Sequence, residues 1–281
     1  MTHDADIAAR AARAQRMPVI FVGHGSPMNA IEHNRFSEGW DEMGRRLRAL
    51  PEAPRAIVAV SAHWMTAALS ANPAARNRQI NDMYGFPEEL YEVHYEPAGD
   101  PELAQRIVAA SGGTVNADAS WGCDHGAWVP LSHLFPAADV PVVMASVAPG
   151  KRPAGHFAFG RLLRSLRDEG VLILASGNVV HSFAYADMAD RGLASWARAF
   201  DDQVRDKVLS HVWDDLLDYR ALGRDMKRAF QTPEHYLPLP VALGAAYEDE
   251  PVFAWNEGGE MGAFSMTSYA FGLGGASPAT S

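Results

Sequence analysis

Four short aliphatic runs, at 18–22, 56–61, 140–147 and 171–175, alternate with stretches whose apolar residues recur at helical spacing. Each run ends in turn-forming residues, the pattern of a strand. The runs are apolar nearly throughout rather than at every second position, which suits a sheet covered on both faces. Between them, Phe36, Trp40, Met43, Leu47 and Leu50 make one stripe at steps of four and three residues. Asp100 and Pro101 cap and open a helix carrying Leu103, Ile107 and Val108. Phe157, Leu162, Leu163 and Leu166 mark another, closed by Gly170. A long amphipathic helix is expected over 193–209, a further one from Thr232-Pro233-Glu234 towards Ala246, and a closing strand over 264–271. Strands alternating with helices predict a three-layer α/β fold.

The chain has 281 residues, 48% of them hydrophobic, enough to bury one large core, so a single domain is expected. Its ends, 1–16 and 273–281, read as flexible extensions, and the first lacks the apolar segment of a secretory signal. The net charge is -10 and no Lys/Arg run exceeds two residues, which argues against nucleic acid as a partner. The lone cysteine, Cys123, rules out a disulfide within the chain and Cys-rich zinc classes, and fits a reducing compartment. No run of about 18 apolar residues exists to span a membrane. A cytoplasmic monomer or homodimer is expected.

The chemistry is signalled by the histidines, eleven in all. His24 follows the first strand in Gly23-His24-Gly25-Ser26-Pro27, His63 follows the second in Ser61-Ala62-His63-Trp64, and His181 follows the strand at 171–175 in Ser176-Gly177-Asn178-Val179-Val180-His181. In open α/β sheets, ligands bind at the carboxyl ends of strands, so these three rings are placed to converge on a metal. Any one of them alone is more readily a hydrogen-bonded rim residue; three at equivalent positions tip the balance. His125, in a Gly- and Trp-rich segment, reads either as part of a surface turn or as a pocket wall. His235 reads either as a solvent-facing residue of a helix start or as a ligand delivered from it. His3, His33, His133, His156 and His211 are assigned to surface or packing. Ser26 does not stand in a Gly-x-Ser-x-Gly elbow, and phosphate-loop and dinucleotide glycine patterns are absent.

Met17-Pro18-Val19-Ile20-Phe21-Val22-Gly23-His24-Gly25-Ser26-Pro27-Met28-Asn29-Ala30 resembles the opening of the class III extradiol dioxygenases of the LigB superfamily, nearest their DOPA 4,5-dioxygenase branch. Ordered blocks continue the resemblance: Ser61-Ala62-His63-Trp64, Gly85-Phe86-Pro87-Glu88-Glu89-Leu90-Tyr91, Asp124-His125-Gly126-Ala127-Trp128, Ser176 to His181, and Pro233-Glu234-His235-Tyr236-Leu237-Pro238. The resemblance implies one catalytic domain over 17–272, with a mixed central sheet flanked by helices. It implies one metal held by His24, His63 and His235, with His181 as a fourth ligand or an acid/base group and His125 as an acid/base group or substrate contact. Ring-cleaving enzymes for protocatechuate use two His and one Glu; here the resemblance puts His235 at the third position. An all-imidazole set suits Zn(II) as well as the Fe(II) that ring cleavage requires.

The implied reaction opens a catechol ring with O2 to a semialdehyde, with Trp64, Tyr84, Phe86 and Trp128 as candidate aromatic walls. Two readings compete. A zinc-dependent hydrolase on the same rings has only Glu234 beside a ligand to serve as base. A non-catalytic binding module has no need of all five histidines.

Overall fold

A computed structural model of the chain describes residues 16–274. Most of the extensions expected at 1–16 and 273–281 therefore lies outside the described residues. The strands are β1 (Val19–Gly23), β2 (Ala56–Met65), β3 (Leu69–Ala71), β4 (Val115–Ala117), β5 (Val142–Val147), β6 (Val171–Gly177), β7 (Val252–Trp255), β8 (Gly259–Glu260), β9 (Phe264–Ser265) and β10 (Ser268–Phe271). Eight form one mixed sheet in the order β4-β3-β5-β2-β6-β1-β10-β7, and β8 pairs with β9 in a separate hairpin. The four aliphatic runs are its centre: β5, β2, β6 and β1 are mutually parallel. Antiparallel neighbours join on either side, β3 against β5 and β10 against β1.

Strand alternation sorts these runs onto two cores. Val19, Phe21, Val58, Val60, Ile173 and Ala175 face one way and meet helices Pro153–Leu163, Ser195–Leu209 and Pro238–Ala245. Ile20, Val22, Ile57, Ala59, Leu172 and Leu174 face the other and meet Trp40, Met43 and Leu47 of the Arg35–Arg48 helix and Trp128, Leu131 and Leu134 of the His125–Leu134 helix. Helices on both faces of a largely parallel sheet make the three layers. Among the described residues no helix is long and apolar enough to cross a membrane.

Several helix signals act as expected. The Asp100 side chain accepts the Leu103 N–H at 2.9 Å and opens Pro101–Ala110. Gly170, at φ 83°, ends the turn that follows Pro153–Leu163. Two expectations need correction. The helix expected from Thr232 begins at Pro238, after a turn in which Leu237 N–H donates to Pro233 O. Pro238 and Pro240 have no N–H to bond Glu234 and Tyr236, so a helix cannot run through from residue 232. The closing strand expected over 264–271 is split at Met266-Thr267. Residues before the break pair with β8 and those after it with β1, and the Met266 N–H turns aside to Gly258 O.

Candidate metal centre and active-site cleft

A cleft of about 600 Å³ opens at the carboxyl edge of the central strands, lined by His24, His63, His125, His181 and His235. β1 ends at Gly23, so His24 is the first residue past it, tied to β6 by its N–H to Gly177 O (3.2 Å). β2 runs to Met65, longer than the aliphatic run, and brings His63 within its last residues. His125 is the first residue of the His125–Leu134 helix, whose N-cap Asp124 accepts the Ala127 N–H at 3.2 Å. His235 sits in the turn before Pro238, pinned by Asn178 N–H to its carbonyl (2.8 Å). Two glycines make room. A Cβ on Gly126 would meet His63 Cδ2 at 2.8 Å, and one on Gly177 would run into the His235 carbonyl.

The hydrogen bonds fix how the rings are protonated. Ser176 Oγ donates to Gly126 O, so towards His24 Nδ1, 2.9 Å away, it acts as acceptor. His63 Nδ1 lies 3.0 Å from Asp82 Oδ2. His235 Nδ1 lies 3.2 Å from Glu234 Oε1. All three Nδ1 atoms therefore carry protons directed outwards, and all three Nε2 atoms present lone pairs. Those lone pairs converge: His63 Nε2 is 3.2 Å from His24 Nε2 and 3.3 Å from His235 Nε2. Nitrogens about 2.1 Å from one ion sit about 3.0–3.4 Å apart at ordinary coordination angles, so the spacing fits a shared divalent cation. His24, His63 and His125 also offer ligand atoms within 4.8 Å of one another, as do His181, Glu234 and His235.

Burial, then the neighbouring imidazoles, push His24 and His235 well below the usual histidine range. The same causes bring His181 down to about 3, and its ring stacks on His235 at 3.5 Å, 4° from parallel. His63 moves the other way: burial lowers it, but the Asp82 hydrogen bond and the Asp124 charge raise it more. Asp82 joins two rings. Its Oδ1 accepts from both the main-chain N–H (3.0 Å) and Nδ1 (2.9 Å) of His125, while Oδ2 serves His63. Burial would raise this carboxyl, yet its two histidine partners hold it far below the usual carboxylate range. Behind His63, Ser61 donates to Asp124 Oδ1 at 2.6 Å, and Trp121 Nε1 donates to Oδ2 at 2.8 Å.

All five site histidines are brought together, as are Tyr84 and Phe86 on the cleft wall. Trp64 and Trp128 are corrections, because both pack in the second core instead. Trp64 follows His63 on a strand, so it faces the opposite way. Trp128, one helical turn after His125, is fully buried, and its Nε1 bonds Ile80 O at 3.3 Å. The exposed rim is supplied by Phe183 (74% exposed), Met188 (71%) and Tyr84 (92%). His133 bonds Asp41 and Asn29, His156 accepts the Ala148 N–H at 3.1 Å, His211 stacks on Trp213 and His33 is exposed, so all four are surface or packing residues. His3 lies outside the described residues. Sequence reasoning missed Asp82, Asp124, Ser61 and Ser176. The two serines did carry a signal, since they are paired polar residues at the ends of aliphatic strands.

An α/β sheet with outward-protonated imidazoles converging at its carboxyl edge defines a metal-dependent enzyme. The chain matches the catalytic LigB subunit of aromatic ring-opening dioxygenase over residues 17–272, and it belongs to that family of class III extradiol dioxygenases. It is 41% identical to the 4,5-DOPA dioxygenase extradiol of Escherichia coli (strain K12), covering 92% of this chain and 95% of that one. It is 38% identical to the enzyme of the same name from Beta vulgaris, covering 89% and 95%. The crystal structure of the uncharacterized protein JW3007 from Escherichia coli K12 superposes with a TM-score of 0.77 at 37% identity, covering 91% of this chain and 99% of that one.

Proposed function

We propose that the protein cleaves the ring of a catechol with O2 to a ring-opened semialdehyde, on one Fe(II) held by His24, His63 and His235. The observation that carries this reading is the meeting of three Nε2 lone pairs whose Nδ1 protons all point away from them. Fe(II) bound there would supply open positions at which catechol and O2 meet and exchange electrons. The same neutral nitrogens suit Zn(II), so protein purified without added iron is a candidate for inactive zinc loading.

His125 handles protons. Its Nδ1–H is committed to Asp82, so its Nε2 is free to take the second catechol hydroxyl proton and to return it during cleavage. His181, neutral and stacked on His235, is a second base or a fourth ligand. His181→Gln separates these roles, because metal content falls only in the second. Phe86 and Phe264 wall the ring, and Tyr84 and Phe183 stand at the exposed rim. DOPA, named in the relatives, is the first substrate to try.

The test is anaerobic loading with Fe(II), addition of DOPA, protocatechuate and plain catechol, and admission of air. Stoichiometric oxygen uptake with a yellow semialdehyde, lost in His24→Ala and His63→Ala, is the expected result. No uptake with any catechol by protein holding one iron per chain would sink the reading.

A further inference from the structure

The cleft is acidic beyond what its metal centre uses. Among the described residues three carboxylates line it, Asp82, Glu234 and Glu260, and no lysine or arginine does. Asp82 is committed to His63 and His125, and Glu234 bonds His235 Nδ1 and the Thr232 hydroxyl. Glu260 is different. It has neither an ion pair nor a side-chain hydrogen bond among the described residues, and Arg35 and Arg191 act on it only at longer range. Arg35 is turned elsewhere, its guanidinium donating to Glu257 O at 2.8 Å.

Glu260 is also held in place. It pairs with Phe264 across the β8–β9 hairpin, so the two side chains stand on one face. The Phe264 ring lies 4.9 Å from His181, which stacks on His235, so this wall leads outward from the converging nitrogens to Glu260. The hairpin turn is closed by Ala263 N–H to Glu260 O (3.3 Å) and runs through Met261 at φ 51° and Gly262 at φ 70°. A positive φ at Met261 is strain that the surroundings must hold. They do so through Met261 N–H to Asp190 O (2.9 Å), Asp187 N–H to Met261 O (2.9 Å) and Gly262 N–H to Gly192 O (2.8 Å). A catechol held with both oxygens towards the converging nitrogens would direct its ring substituent away from them, into the part of the cleft that Glu260 lines.

We infer that Glu260 selects the side arm of the substrate, and that the arm it selects carries an ammonium group. This rests on the ring-cleavage reading of the cleft. An ammonium completes the unpaired carboxylate, whereas a bare carboxylate arm meets Glu234 and Glu260 with no cation on the wall to receive it. Catecholamines and catechol amino acids are then preferred over catechol acids.

Anaerobic titration of the Fe(II)-loaded full chain with 3,4-dihydroxyphenylethylamine and 3,4-dihydroxyphenylpropionate tests this without turnover. The amine is expected to bind about tenfold more tightly, the size of a partly exposed ion pair. Glu260→Gln removes most of that ratio, and Glu260→Lys turns it towards the propionate. Equal binding, tighter binding of the propionate, a ratio that survives Glu260→Gln, or no binding of either compound overturns the assignment. Air is admitted afterwards. A preference that holds without oxygen uptake counts against ring cleavage alone.

Discussion

Replacing Asp82 with asparagine keeps the shape of the side chain and removes one acceptor. In the native protein Oδ2 receives the His63 Nδ1 proton, and Oδ1 receives both the main-chain N–H and the Nδ1 proton of His125. An asparagine has one oxygen for these three donors. With its oxygen on His125, its NH2 faces His63 Nδ1, which must then move its proton to Nε2, among the converging lone pairs. With its oxygen on His63, two donors of His125 lose their acceptor. In the first arrangement a ligand is lost. In the second His63 keeps the ligating tautomer, but the anchor is weaker and uncharged. Removal of such partners typically lowers metal affinity by about 10–100-fold, or about 1.4–2.7 kcal/mol. Chelator-competition titration of Asp82→Asn against the native protein measures it. The change should appear in metal affinity and again in kcat, because His125 loses its anchor in one of the two arrangements. An affinity within twofold of the native value, with normal kcat, would refute the tautomer argument on which the ligand assignment rests.

Other consequences are as direct. His63→Ala should abolish stoichiometric metal binding, while His125→Ala should retain one metal per chain and lose about 100-fold or more in kcat, as read by metal analysis beside oxygen uptake. His156 is buried and held down to about 4 by that burial. A histidine whose folded pKa lies below its unfolded value of about 6.5 favours the fold above that value and loses the contribution as pH falls towards 4. Between pH 7 and pH 5 the native protein should therefore lose about 2 kcal/mol more unfolding free energy than His156→Gln, measured in urea at both pH values. Equal losses would remove His156 as a cause. Glu250 bonds the fully buried Arg167 through two contacts, at 2.8 and 2.9 Å. Glu250→Ala leaves that guanidinium buried without its counter-charge and should lower stability by about 3–5 kcal/mol, read by denaturant unfolding.

What was legible in the sequence follows from how local its cause is. The central strands could be read because burial on both faces leaves an unbroken aliphatic run. His24 and His63 could be read because such a run ends at or just before them. The His125–Leu134 helix could not. Nearly all its residues are buried, so it has no amphipathic stripe, and Pro130 sits inside it. The Pro238–Ala245 helix is likewise buried on every side, and its start was placed six residues early, at Thr232. The short strands β3 and β4, towards one margin of the sheet, have only three residues each, too few for a pattern. Asp82 left no trace, since it lies in a loop and its partners are distant in the chain. Nothing at positions 81–83 announces that one carboxylate will bridge two imidazoles. Trp64 and Trp128 were misplaced because proximity in sequence to a site histidine says nothing about which face a ring takes.

β1 lies between β6 and β10 in the sheet. In chain order it precedes both neighbours by well over a hundred residues, so the ribosome makes it long before either. Until then the first strand, with His24 at its tip, has neither hydrogen-bonding partner. His235 emerges later than β6, and the β8–β9 hairpin later still. The cleft is thus completed only after all four central strands have been made. An ion arriving before His235 is made would find at most two of the three converging nitrogens. The three-nitrogen arrangement cannot form before His235 is made, and the interval before β6 and β10 follow is when the unpaired aliphatic edge of β1 is most open to wrong pairing with another nascent chain.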